Sequence, residues 1–131
     1  NLLNKSHQMR NLPTANNVRQ EIQDKKQREV FDKLVELVNA NLTDQQFSVD
    51  HLCLELGMNR TKLYSFIKST TGMSLGNYIR KIRLDKAAEL LRTTDMSISE
   101  VGYAVGIESP SYFTRTFKEQ FGSSPSEFIK H

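Results

Sequence analysis

Residues 97–122 read SISEVGYAVGIESPSYFTRTFKEQFG, and residues 48–72 read SVDHLCLELGMNRTKLYSFIKSTTG. Set one above the other, the two stretches are copies of one pattern. At an offset of 49, Ser48 meets Ser97, Val49 meets Ile98, Leu52 meets Val101, Leu56 meets Val105, Gly57 meets Gly106 and Met58 meets Ile107. At an offset of 50, Leu63 meets Phe113, Ile67 meets Phe117, Lys68 meets Lys118, Gly72 meets Gly122 and Ser74 meets Ser124. The slip of one falls in the turn, which is one residue longer in the second copy. One such pattern is weak evidence, whereas two in register decide the fold.

Each copy reads as a short helix, a turn opened by glycine and a longer helix. The first helices run from Val49 to Leu56 and from Ile98 to Val105. Gly57 and Gly106 stand where a helix ends in positive φ, which glycine adopts without the Cβ penalty. Met58 and Ile107 follow as apolar plugs. This is the grammar of a helix-turn-helix, whose second helix stands at about 90–120° to the first and faces outward.

In the first copy Leu63, Phe66 and Ile67 make the inward stripe, leaving Thr61, Tyr64, Ser65 and Lys68 outside. In the second, Tyr112, Phe113, Thr116 and Phe117 are expected inside, with Ser111, Thr114, Arg115 and Lys118 outside. These outer sets join cations to hydrogen-bonding side chains of moderate length, as a surface that reads a DNA groove requires. Arg115 is the leading base reader, because a guanidinium fork matches the O6 and N7 acceptors of guanine. A lone helix of this kind would read as an ordinary solvated face, and the pairing argues otherwise.

Working outward, Leu75 to Leu91 reads as one connecting helix with apolar contacts from Tyr78, Ile79, Ile82, Ala87, Leu90 and Leu91. It spans about 25 Å at 1.5 Å per residue, a length suited to placing two reading helices about one DNA turn, or 34 Å, apart. Arg80, Lys81, Arg83 and Lys86 either bind phosphates or pair with Asp85 and Glu89. Upstream, Asp24 caps a helix, with Gln27 three residues on as its partner in a capping box. Val30, Phe31, Leu34, Leu37, Val38 and Leu42 give that helix one apolar face, ending near Asn41. Ser48, Asn59, Ser74, Ser97, Ser109 and Ser124 all stand at N-cap positions. Ser97 with Glu100 and Ser124 with Glu127 have capping-box spacing, and Pro110 and Pro125 sit at N1. Strand signals are absent, so the fold is all-α. Residues 1–23 read as a linker or disordered tail, and 24–131 as one domain: first helix-turn-helix about 48–72, connecting helix about 75–92, second about 97–122. The chain opens at Asn1, as a fragment of a longer protein would.

Composition is ordinary for a globular chain of 131 residues, with 37% hydrophobic and 25% charged residues and a net charge of +3. No segment is long and apolar enough to span a bilayer, and no signal segment opens the chain. The one cysteine, Cys53, excludes an internal disulfide, suits a reducing cytoplasm and reads as a core residue. An enzyme is not expected: there is no phosphate-binding glycine loop, no Gly-x-Ser-x-Gly elbow and no paired carboxylates in an evident cleft. Neither cofactor nor metal is implied, since His7, His51 and His131 are scattered, and His51 and Cys53 fall on different helix faces. The rival class is a helical module that binds another protein through the same faces. Such an interface wants an aromatic or aliphatic centre, and these faces are basic and polar. RNA fits poorly, because an A-form major groove does not admit a helix.

The run from Ser99 to Ile107, then Ser109 to Phe113, Thr114 to Lys118 and Phe121 to Pro125, resembles the signature of the AraC/XylS family of transcription regulators. Ile82-Arg83-Leu84 with Ala87 to Leu91 resembles that family's connecting helix, and the likeness covers about residues 28–131. The resemblance implies a homeodomain-like fold of two helix-turn-helix subdomains that bind double-stranded promoter DNA in successive major grooves. It places Thr61, Tyr64, Ser65, Pro110, Ser111 and Arg115 on bases. It makes Arg60 and Lys68 flanking phosphate contacts, to which the reading of the outer face adds Lys118 and that of the connecting helix adds Arg80 and Lys81. Pro110 then acts by shape or methyl contact, and Tyr64 by stacking or on a thymine methyl. The segment from Glu29 to Leu34, with Asn41-Leu42 and Phe47 to Val49, resembles the link from a receiver domain to such an output module. That implies a two-component regulator or hybrid sensor, cytoplasmic or the cytoplasmic part of a membrane-anchored sensor. RNA polymerase, a second copy on DNA and an upstream receiver or sensor domain are the partners implied.

Overall fold

The computed structural model describes residues 15–22, 24–44 and 46–129. In chain order the helices are α1 (Ala15–Glu21), α2 (Lys25–Ala40), α3 (Val49–Leu56), α4 (Arg60–Thr71), α5 (Leu75–Thr93), α6 (Ile98–Ala104), α7 (Pro110–Phe121) and α8 (Pro125–Ile129). No strand occurs among the described residues. These residues divide into two compact units, 15–82 and 83–129, with the boundary inside the continuous helix α5.

The 15–82 unit packs α2 against α3, and α3 against α4. Phe31, Leu34 and Val38 of α2, Leu52 of α3 and Leu63, Phe66 and Ile67 of α4 make its core, with Tyr78 from the start of α5. The rings of Phe31 and Tyr78 lie 5.8 Å apart. Asp24 caps α2 by accepting from Gln27 N, which is one half of the box expected there; the return bond from the Gln27 side chain is not made. Most of the expected tail, residues 1–14, lies outside the described residues, but part of the rest is helix. α1 buries Val18 and is tied to α2 by Arg19, whose Nε lies 2.8 Å from Asp32 Oδ2. Arg28 also donates to the Ile22 carbonyl, at 2.6 Å from Nη2. Cys53 is half-buried rather than fully in the core.

The 83–129 unit is built round Phe117. Its ring is fully buried, with centroids of Phe113, Phe121 and Phe128 at 5.8, 4.5 and 5.3 Å. Val101, Val105, Leu84 and Ala87 complete the core. Arg83 closes α6, donating from Nη1 to the Val105 carbonyl at 2.8 Å, and burial pulls its guanidinium below arginine's usual pKa. Gln120 donates to Asp85 at 2.7 Å.

Gly102 is the tight point of this unit. A Cβ there would stand 3.0 Å from the Ile107 carbonyl oxygen and 3.2 Å from Phe113 Cδ2. Gly102→Ala therefore forces α6 away from α7 and is expected to cost about 1–3 kcal/mol, read as a lower urea midpoint at unchanged slope. Wild-type stability for the variant would show that α6 shifts freely.

Candidate nucleic-acid interface

The repeat read in the sequence holds down to single hydrogen bonds. α3 ends at Gly57 (φ 65°), with Gly57 N donating to Leu54 O and Met58 N to Cys53 O. In the second copy Gly106 (φ 82°) donates to Tyr103 O and Ile107 N to Gly102 O. All four pairs match at the offset of 49. The longer helices also end alike: Gly72 N donates to Lys68 O at 2.9 Å, and Gly122 N to Lys118 O at 2.8 Å. These bonds satisfy carbonyls that a helix end leaves open.

The starts of α4 and α7 are capped as their sequences dictate. Asn59 accepts from Lys62 N at 2.8 Å, and Ser109 from Tyr112 N at 3.3 Å, with Pro110 at the first helical position. Capping boxes form at Ser97 with Glu100 and at Ser124 with Glu127. Hydrogen bonds from Ser97, backbone and side chain, hold the Glu100 carboxyl below its usual pKa. α3 has a box as well, closed by His51 Nδ1 rather than a carboxylate. A search for Glu or Gln at N3 passes over it.

On α4, Thr61, Tyr64, Ser65 and Lys68 are all exposed, while Leu63, Phe66 and Ile67 turn inward. Arg60 Nη2 lies 2.9 Å from Asp50 Oδ1 of α3, and its Nη1 donates to the Tyr64 hydroxyl at 3.3 Å. The Asp50 carboxylate, first by hydrogen bond and then by charge, raises the Arg60 pKa. Lys68 Nζ donates to the Gly72 carbonyl at 3.2 Å, at the negative end of its own helix.

On α7, Pro110, Ser111, Thr114, Arg115 and Lys118 are exposed. Tyr112 departs from the inward place expected for it: it is 36% exposed, and Arg115 lies over its ring with the guanidinium carbon 5.3 Å from the centroid. A cation held on an aromatic face gives up less freedom when it docks. Sequence reading missed this platform, although the i, i+3 spacing of Tyr112 and Arg115 was its signal. It likewise missed Asp50, ten positions before Arg60.

The connecting helix departs further from expectation. Lys81 is only 3% exposed, on a buried stripe with Leu84, Ala88 and Leu91, and so is not offered to a phosphate as placed. Arg80 is half-buried, and Lys86 pairs with Glu89 at 3.3 Å. Among the described residues no group of three His, Cys, Asp or Glu stands close enough to hold a metal, and no helix is long and apolar enough to cross a membrane.

Comparison with known proteins agrees with this construction. A family described as a helix-turn-helix domain matches residues 52–131. Histidine kinase P4 of Formosa agariphila is 37% identical over 100 residues, 76% of this chain but 7% of the kinase. The chain spans 29–32% of the next curated relatives. The DNA-binding domain of the global transcriptional factor AdpA, solved with a target DNA, is 28% identical with a TM-score of 0.66, covering 82% of this chain and 92% of that one. The C-terminal domain of AraT, a response regulator from Geobacillus stearothermophilus, is 27% identical with a TM-score of 0.66, covering 77% of this chain and 84% of that one.

Proposed function

This chain belongs to the AraC/XylS family of DNA-binding transcription regulators, which are not enzymes, and we propose that it is the output module of a two-component system, reading two half-sites of one operator. The observation that carries the proposal is the doubled unit: two glycine-closed turns, each followed by a capped helix with a polar, cationic outer face. Thr61, Tyr64 and Ser65 read bases in one half-site, and Pro110, Ser111 and Arg115 in the other. Arg60, Lys68, Arg80 and Lys118 hold phosphates; Lys81, being buried, is left out of that set. A kinase and a response regulator among the similar proteins support the two-component parent, with a receiver or sensor domain upstream and DNA met in the cytoplasm. Binding of labelled duplex followed by anisotropy tests the module, since specific DNA should win over scrambled DNA at every salt concentration. A full-length gene encoding no upstream receiver or sensor domain would remove the two-component assignment.

One observation favours a protein contact besides DNA. Leu54 is 80% and Tyr103 66% exposed, and they occupy the same position of the repeat, on α3 and α6. Exposed carboxylates of Asp50, Glu55 and Glu100 share those helices. These are the faces on which RNA polymerase would be met. Leu54→Ser with Tyr103→Ser should leave operator affinity unchanged and lower transcription from the operator several-fold. Equal loss of DNA binding would return both residues to the DNA face.

A further inference from the structure

Alongside α4 runs an open groove of about 500 Å³, walled on its other side by the first turns of α2. Its floor is apolar, formed by half-buried Val30 and Met58 and by Phe66. Its rim is cationic. Lys26 stands on the α2 side and Lys62 on the α4 side, both exposed, and neither is ion-paired among the described residues. Among the described residues no carboxylate lines the groove. Thr61 and Ser65, the proposed base readers of α4, line it too, so it runs on from the reading face of that helix.

We infer that this groove seats the DNA backbone flanking the half-site read by α4, with Lys26 and Lys62 on its phosphates. The inference rests on the DNA-reading assignment of α4 and extends the contact to α2, a helix outside the repeat. Lysine suits such a contact, because its ammonium is a compact point charge on a flexible stem and needs no fixed fork geometry. The stems and the apolar floor cover deoxyribose edges, which carry no charge. Such contacts carry no sequence information and set register and orientation on the duplex.

The test uses this chain with Lys26→Gln, Lys62→Gln and, as a charge-matched control, Lys33→Gln. Lys33 donates to the Glu55 carbonyl at 2.8 Å, away from the groove. Each neutralised phosphate releases counterions, so losing one contact flattens the slope of log Kd against log salt by about 0.9. Between 50 and 200 mM salt, the advantage of wild type over Lys26→Gln or Lys62→Gln should therefore shrink about 3.5-fold. The loss should be the same on selected and scrambled duplexes, and Lys33→Gln should keep the wild-type slope. Unchanged slopes for both groove variants, or an equal change in Lys33→Gln, would overturn the inference. Methylphosphonate placed at single flanking positions gives an independent reading: at one of them Lys26→Gln and wild type should bind alike. If wild type prefers no sequence at all, the base-reading assignment fails instead, and the slopes still decide the two lysines.

Discussion

Phe117→Ala is expected to lower the stability of the 83–129 unit by about 3–5 kcal/mol, the usual cost of emptying a buried phenylalanine site. The site cannot collapse easily, because Phe113, Phe121 and Phe128 surround the ring with centroids within 5.8 Å and come from both α7 and α8. Small domains hold only about 5–15 kcal/mol in total, so the loss takes much of what this unit has. Urea unfolding followed by circular dichroism should show an early transition for the variant, with the rest of the helical signal retained to higher denaturant. DNA binding should then fall to the level of the first helix-turn-helix alone. A single transition at the wild-type midpoint would contradict the assignment of Phe117 as the centre of this core.

Much of this unit is legible in the sequence because its signals are local. N-caps, N1 prolines and C-terminal glycines act within one turn of the chain, and each of Ser97, Ser109, Pro110, Gly106 and Gly122 does what its residue type dictates. The offset between copies also transfers information: Leu63 and Ile67 predict the burial of Phe113 and Phe117. The features that escape sequence reading are those in which residue type alone misleads or the partner is distant in the chain. α1 has too few apolar residues to show a period, and its order comes from Arg19 on Asp32 and Arg28 on the Ile22 carbonyl. The charge of Lys81 points to the surface, yet the residue falls on the i, i+3, i+7 stripe of Leu84 and Ala88 that the helix buries. Its aromatic ring suggests a core place for Tyr112, whereas the residue is exposed and serves as a surface for Arg115. At the interface, residue types and faces follow from the periodicity of each helix. Of the tethers that set side-chain orientation, Asp50 to Arg60 emerges only in three dimensions, whereas Tyr112 to Arg115 has the i, i+3 spacing of neighbours on one helix.

Arg115→Ala should cost about 1–3 kcal/mol of operator binding and relax preference at one base pair. The effect is specific because a guanidinium fork can meet two acceptors on one guanine, and an alanine there leaves both unpaired. Lys68→Ala is the contrast. Its ammonium offers charge without a fixed geometry, so its loss should weaken selected and scrambled DNA by a similar factor and reduce the salt slope by about 1. Competition binding against all four base pairs at each operator position separates the two behaviours. Equal loss on specific and random DNA for Arg115→Ala would show that it binds phosphate and reads no base.

The most direct test of the doubled reading unit is selection of bound duplexes from a random library by this chain, followed by a salt titration of the enriched sequence. Two units that each read bases predict a bipartite motif with half-sites about 10 bp apart and affinity falling steeply with salt. No enriched sequence, or a single half-site whose enrichment is unchanged by Arg115→Ala, would contradict it.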